Sequence, residues 1–167
     1  MIRQHPPHGL ELDNPLWQMA GRYWQRPAFE SACLAAQSDG WSVSHILVAL
    51  FSAAEGLWWD AREPEPIRHW REDVTERLRA LRQSLHREAT AVAPLRQGCK
   101  QAELESERVE LAWWYSLMRD GNPHWRAAQT LAFAGRVSDN LQQLFQDAGA
   151  LHARRIATAI SHGATHS

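Results

Sequence analysis

Apolar residues recur at three- and four-residue steps along most of the chain. Pro, Gly, Asn and Asp fall at the edges of the periodic segments, the punctuation that starts and stops helices. No strand is evident. At Asp13-Asn14-Pro15 a capping side chain precedes a proline at the first helical position, which opens a helix running to about Gln25. Pro27 opens a second, in which Phe29, Ala32, Cys33 and Ala36 share a side before Asp39-Gly40 closes it. Ser42 is placed to cap a third. Its residues Val43, Ile46, Leu47, Val48, Leu50, Phe51, Ala53 and Ala54 are apolar nearly all round, which suits a central core helix closed by Glu55 and Asp60.

After a turn from Glu63 to Pro66, Ile67, Trp70, Val74, Leu78, Leu81 and Leu85 form a narrow apolar seam to about Glu88. Pro94 begins a second arm, in which Leu95, Cys99, Ala102, Ser106, Val109, Trp113 and Leu117 keep the same spacing to Asp120-Gly121. At 1.5 Å per residue each arm is roughly 35 Å long, so the two are expected to pair antiparallel. Asn122-Pro123-His124-Trp125 repeats the Asn-Pro-x-Trp of residues 14–17 and reads as the same helix-start cap used twice, opening a helix to about Ala134 that Gly135 ends. Ser138 or Asp139 then caps a last helix, with Leu141, Leu144, Phe145, Ala148, Leu151, Ile156 and Ile160 on its apolar face. The fold class expected is all-α: a single-domain bundle of six or seven helices with a long antiparallel hairpin over residues 66–119. The domain spans 13–161, between a flexible segment 1–12 and a frayed tail 162–167.

Composition adds a core and removes several functions. Nine tryptophans, Trp17, Trp24, Trp41, Trp58, Trp59, Trp70, Trp113, Trp114 and Trp125, supply apolar area for inner helix faces. A chain of 167 residues buries roughly two-thirds of its unfolded surface without a disulfide or metal. Eighteen basic residues, all arginine except Lys100, stand against 19 acidic ones, so nothing global favours nucleic acid or an anionic membrane. Cys33 and Cys99 form no Cys-x-x-Cys pair and are expected as buried reduced thiols. The first residues lack the apolar run of a signal peptide, and no stretch reaches the ~20 apolar residues that span a bilayer, which gives an expectation of cytoplasmic residence.

Candidate chemistry is sparse. Neither Glu-x-x-His nor His-Glu-x-x-His occurs, which disfavours di-iron and zincin centres. Glu65, His69 and Asp73 recur at four-residue steps and could face a metal, but beside Arg68, Arg71 and Glu72 they read as a solvated face. His5 with His8, and His162 with His166, fall in the terminal segments. No nucleophile elbow and no glycine-rich phosphate loop is present, so no catalytic residue and no cofactor is assigned. Six arginines between 65 and 88 (Arg68, Arg71, Arg77, Arg79, Arg82, Arg87) face five acids (Glu65, Glu72, Asp73, Glu76, Glu88), a pattern of intrahelical pairing rather than phosphate reading.

The less ordinary feature is a second apolar stripe on the helix after Pro94. Opposite the seam of Ala102, Val109, Trp113 and Leu117 stand Leu104, Leu111, Tyr115 and Met118, bordered by Glu103, Glu107 and Glu110. Such a stripe is either covered within the monomer or docks another helix or a second copy of the chain. Trp58 and Trp59, after the core helix, are likewise packed or displayed as an anchor. The function expected is a non-enzymatic interaction or adaptor module with a protein partner. The competing class is a small-molecule binder or enzyme with a Trp-lined pocket, marked by His45, Glu55 or His69 on its wall. A third is a nucleic-acid-associated regulator.

Three stretches carry a family resemblance: Asn14-Pro15-Leu16-Trp17, the run Arg26-Pro27-Ala28-Phe29-Glu30-Ser31-Ala32-Cys33-Leu34-Ala35-Ala36-Gln37, and the core helix from Ser44 to Leu57. Together they resemble an uncharacterised bacterial all-helical family catalogued as domain of unknown function 2390, strongly over residues 14–60 and more weakly through Trp70–Leu85 and Glu103–Val109. The resemblance implies a small cytoplasmic helical protein and lends no catalytic residue.

Overall fold

The computed structural model describes residues 5–161; the frayed tail expected at 162–167, with the first four residues, lies outside the described residues. The fold is all-α with one small sheet. Its elements are α1 (Pro15–Trp24), α2 (Pro27–Ser38), α3 (Val43–Ala54), β1 (Leu57–Trp59), α4 (Glu65–Trp70), a π-helical turn (Arg71–Thr75), α5 (Glu76–Ser84), α6 (Ala93–Arg119), β2 (Trp125–Ala127), α7 (Phe133–Phe145) and α8 (Ala150–Ser161). The residues read as one helical domain cluster into two compact units. A hairpin unit holds the described residues to Leu12 with Glu63–Ser116, and a ribbon unit holds Asp13–Arg62 with the described residues from Leu117 onward.

The ribbon unit begins as the punctuation requires: the Asn14 side chain accepts from the Trp17 N–H at 2.9 Å with Pro15 at the first turn, and Ser42 caps α3 by accepting from His45 N–H. Within this unit α3 is central, packed against α1, α2, α7 and β1, and Ile46 through Ala53 are all buried. Burial pushes the Cys33 thiol on α2 up to about 12, the behaviour of an inert core residue.

Contrary to the strand-free expectation, β1 and β2 pair antiparallel, with Leu57 opposite Ala127, Trp58 opposite Arg126 and Trp59 opposite Trp125. Each is only three residues long, too short for a two-residue period to declare itself. The second Asn-Pro-x-Trp is not a helix start. Where Asn14 accepts from the N–H three residues on, Asn122 accepts from His124 N–H two residues on, closing a turn after the left-handed Gly121. Trp125 then enters the sheet, and the helix begins only at Phe133, with Gly135, Ser138 and Asp139 inside it rather than at its ends. The last apolar segment is two helices, not one, because Gln146 at φ 48° breaks it.

In the hairpin unit the first arm starts at Glu65, inside the expected turn, and stops at Ser84, short of Glu88. Its middle is wound as a π turn, a local geometry that often accompanies special side-chain demands. The antiparallel pairing expected of the arms holds: Arg71 reaches Glu110, Ser106 Oγ donates to Thr75 Oγ1 at 2.9 Å, and Arg79 and Arg82 reach Glu103. The inner face of α6 is only in part the seam expected: its members Cys99, Ser106 and Trp113 are buried. Glu103 and Glu110, expected at a border, are buried as well, whereas the seam position Ala102 is exposed, because three arginines on the opposite arm require carboxylates facing them.

Candidate functional site

Residues 57–60 read Leu-Trp-Trp-Asp, and in an extended strand successive side chains point to opposite faces. That alternation sorts two adjacent indoles. Trp59 turns inward, fully buried, stacked on Trp125 with centroids 6.1 Å apart, while Trp125 Nε1 donates to Ser52 Oγ at 2.8 Å. Trp58 turns outward and stays half-buried, with the Arg126 guanidinium 4.0 Å above its ring. One step along the same face, His124 Nδ1 and Asp60 Oδ2 meet at 2.9 Å, and the ladder continues through Asp60 N–H donating to His124 O. Arg126 is exposed and has no carboxylate partner among the described residues.

The ribbon is held by side-chain amides of α7. Asn140, completely buried, accepts from Trp59 N–H at 3.0 Å and donates from Nδ2 to Leu57 O at 3.0 Å and Ala49 O at 3.1 Å. It thereby occupies the outer edge of β1 as a third strand would. One turn on, Gln143 Nε2 donates to Asp60 O at 3.2 Å.

Beside the ribbon lies a cleft of about 500 Å³, walled by Trp58 and Arg126, by residues 127–130, and by Arg136, Asp139, Gln142, Gln143, Gln146 and Asp147. Arg136 is already committed to the Ala53 and Leu131 carbonyls, and Asp139 to the Thr130 hydroxyl at 2.6 Å. The side chains of Gln129, Gln142 and Gln146 carry no hydrogen bond among the described residues. Neither His45, which packs on Trp59 at 5.9 Å, nor Glu55, at the end of α3, lines this cleft. The volume is within the usual range for ligand sites, but the walls are mostly amides and charged groups rather than apolar ones.

The stripe proposed on α6 is divided. Leu111 is buried, Leu104 is exposed, and Tyr115 and Met118 are half-buried. Of the two tryptophans considered as anchors, Trp59 belongs to the core and Trp58 to the cleft wall.

The hairpin unit carries a network of paired charges. Arg71 forks onto Glu63, reaches Glu110 at 3.2 Å and has Glu76 at 4.0 Å. Burial works against its charge, yet Glu63 and Glu110 hold the guanidinium above its ordinary pKa. Arg79 bridges Glu103 at 2.8 Å and Glu107 at 2.9 Å, and Arg82 holds Glu103 at 2.7 Å. Burial alone would raise Glu103, but hydrogen bonds from Arg82 and Arg79 keep it below the usual carboxyl value. Glu107 shares Arg79 and goes the other way: burial, with Glu103 and Glu110 nearby, raises it to about 7.

Intrahelical pairing holds for Arg68 with Glu72 and Arg77 with Asp73, but Arg79 and Arg82 pair across the hairpin. Glu65, His69 and Asp73 are not one solvated face: Asp73 is buried against Arg77, and His69 Nε2 sits 3.5 Å from Glu65. Among the described residues no three His, Cys, Asp or Glu side chains are grouped to hold a metal ion.

Sequence reasoning missed Arg126, Asn140, Gln142 and Gln143. Asn140 left one signal, a carboxamide beside the apolar Val137 and Leu141 on the inward face of its helix. A family model described as Protein of unknown function (DUF2390) matches residues 15–113. No curated protein and no solved structure matches the chain.

Proposed function

The chain belongs to the DUF2390 family of proteins of unknown function, and from that premise we propose that it is a non-enzymatic interaction module whose protein partner is gripped at the ribbon face and cleft around Trp58. The observation that carries this reading is the sorting of the Trp58-Trp59 pair. A chain that needed both indoles for stability would bury both, yet Trp58 is turned over a polar cleft and topped by an arginine with no acidic partner among the described residues. Tryptophan and arginine are the residue types that dominate binding energy at protein interfaces, and a half-buried indole flanked by polar groups is the usual form of such an anchor. The divided stripe on α6 offers less: its largest member, Tyr115, is half-buried and Leu111 is interior. Cytoplasmic residence is part of the same reading, supported by two buried cysteines that remain free.

Affinity capture from a bacterial extract on the immobilised full chain, compared with Trp58→Ala and Arg126→Ala, tests it. Proteins retained by the unaltered chain and released from both variants, with thermal unfolding within about 3 °C of the parent, are the expected result. Retention of the same proteins by all three chains overturns the proposal.

A further inference from the structure

The side chains left without a hydrogen-bond partner in the cleft, among the described residues, are the amides of Gln129, Gln142 and Gln146 and the oppositely charged Arg126 and Asp147. Arg136 and Asp139 already have partners within the fold, and Arg126 and Arg136 balance Asp139 and Asp147 in formal charge, so the cleft selects no strongly charged ligand. Gln129, Gln142 and Gln146 remain, each presenting a donor and an acceptor side by side. That arrangement matches a ligand whose own donor and acceptor are adjacent, as they are at every residue of an extended peptide.

The same helix already performs this recognition inside the molecule. Asn140 takes one backbone N–H and one backbone C=O two residues apart on β1, and Gln143 takes the carbonyl at Asp60, one turn further along α7. Gln142 on α7, and Gln146 directly after its end, extend this series of amides into the cleft. One strained backbone position lies on the cleft wall as well. Among the described residues the non-glycine positions with positive φ are Ala61, directly after Asp60, and Gln146, on the cleft wall. Strain of this kind persists where the surroundings over-determine a geometry, commonly at binding sites.

Resting on the reading that Trp58 marks the interaction site, we infer that the cleft takes an extended, largely uncharged segment of the protein partner and reads its backbone through the amides of Gln129, Gln142 and Gln146. The Trp58 ring and Arg126 hold one of its side chains.

A phage-displayed library of random linear peptides, panned against the full chain, supplies the probe. Enriched peptides are synthesised with each backbone amide in turn replaced by an ester, which removes one N–H while keeping every side chain. The expected result is binding lost in Trp58→Ala, weakened in Gln142→Ala, and weakened about five-fold or more by at least one ester. Gln142 is exposed, so its substitution leaves folding intact. Peptides that need Trp58 but tolerate Gln142→Ala and every ester overturn backbone reading while leaving the Trp58 site standing. Peptides indifferent to Trp58→Ala, or no enrichment at all, overturn both.

Discussion

Replacing Asn140 by leucine keeps the branching and heavy-atom count of the side chain but deletes the amide that bridges α7 to β1. Three hydrogen bonds disappear, and their consequences differ. Ala49 lies within α3, so its carbonyl keeps a helical partner. Leu57 is half-buried and its carbonyl regains water, at a cost of about 0.5 kcal/mol. Trp59 N–H is the severe case. It points away from β2, lies on a fully buried residue, and is left an orphan donor at about 1–3 kcal/mol. Burying leucine instead of an amide returns about 1 kcal/mol, and crowding by the larger side chain takes about as much back, leaving a net loss near 2 kcal/mol. Urea unfolding of Asn140→Leu is therefore expected to show roughly 2 kcal/mol lower stability, and hydrogen exchange at the Trp59 amide should accelerate up to about 30-fold where exchange proceeds by release of the ribbon. Stability within about 0.5 kcal/mol of the parent, together with an unchanged Trp59 exchange rate, would refute the role given to Asn140 as the edge of the sheet.

A further prediction concerns the hairpin. Glu107 has a folded-state pKa near 7 against 4.5 in the unfolded chain, so its contribution is complete below about 4.5 and is lost as pH rises through 7. Glu107→Gln, which removes the charge but keeps an acceptor for Arg79, should match the parent near pH 5 and exceed it by roughly 1 kcal/mol at pH 8, the gain being limited because a third of the side chain meets solvent. Urea titrations at the two pH values decide it, and a variant weaker than the parent at pH 8 would reverse the sign.

The extent to which the fold was legible depended on where the stabilising interactions were local. Helix starts at Asn14-Pro15, Pro27 and Ser42 could be read because a cap and a proline act within one turn. The same two residues at 122–123 were misread, since Asn serves a two-residue turn as readily as a helix cap, and the choice was made by Trp125 pairing with β1, sixty-six positions earlier in chain order at Trp59. The π turn and the ionic inner face of α6 were hidden for a related reason. Apolar periodicity assigns Glu103 and Glu110 to a border, and only the arginines of the opposite arm reveal that they are interior. The candidate site was half visible: the double tryptophan stood out, whereas Arg126 and the amides of α7 reach the cleft only through tertiary folding.

The most direct test of the account is the unfolding free energy of Trp58→Ala set against that of Trp59→Ala. Burial of Trp59 in the core and display of Trp58 at the cleft require a loss of about 3–5 kcal/mol for the second variant and no more than about 1 kcal/mol for the first. Equal losses would place both indoles in the core and remove the basis for a recognition site at the ribbon.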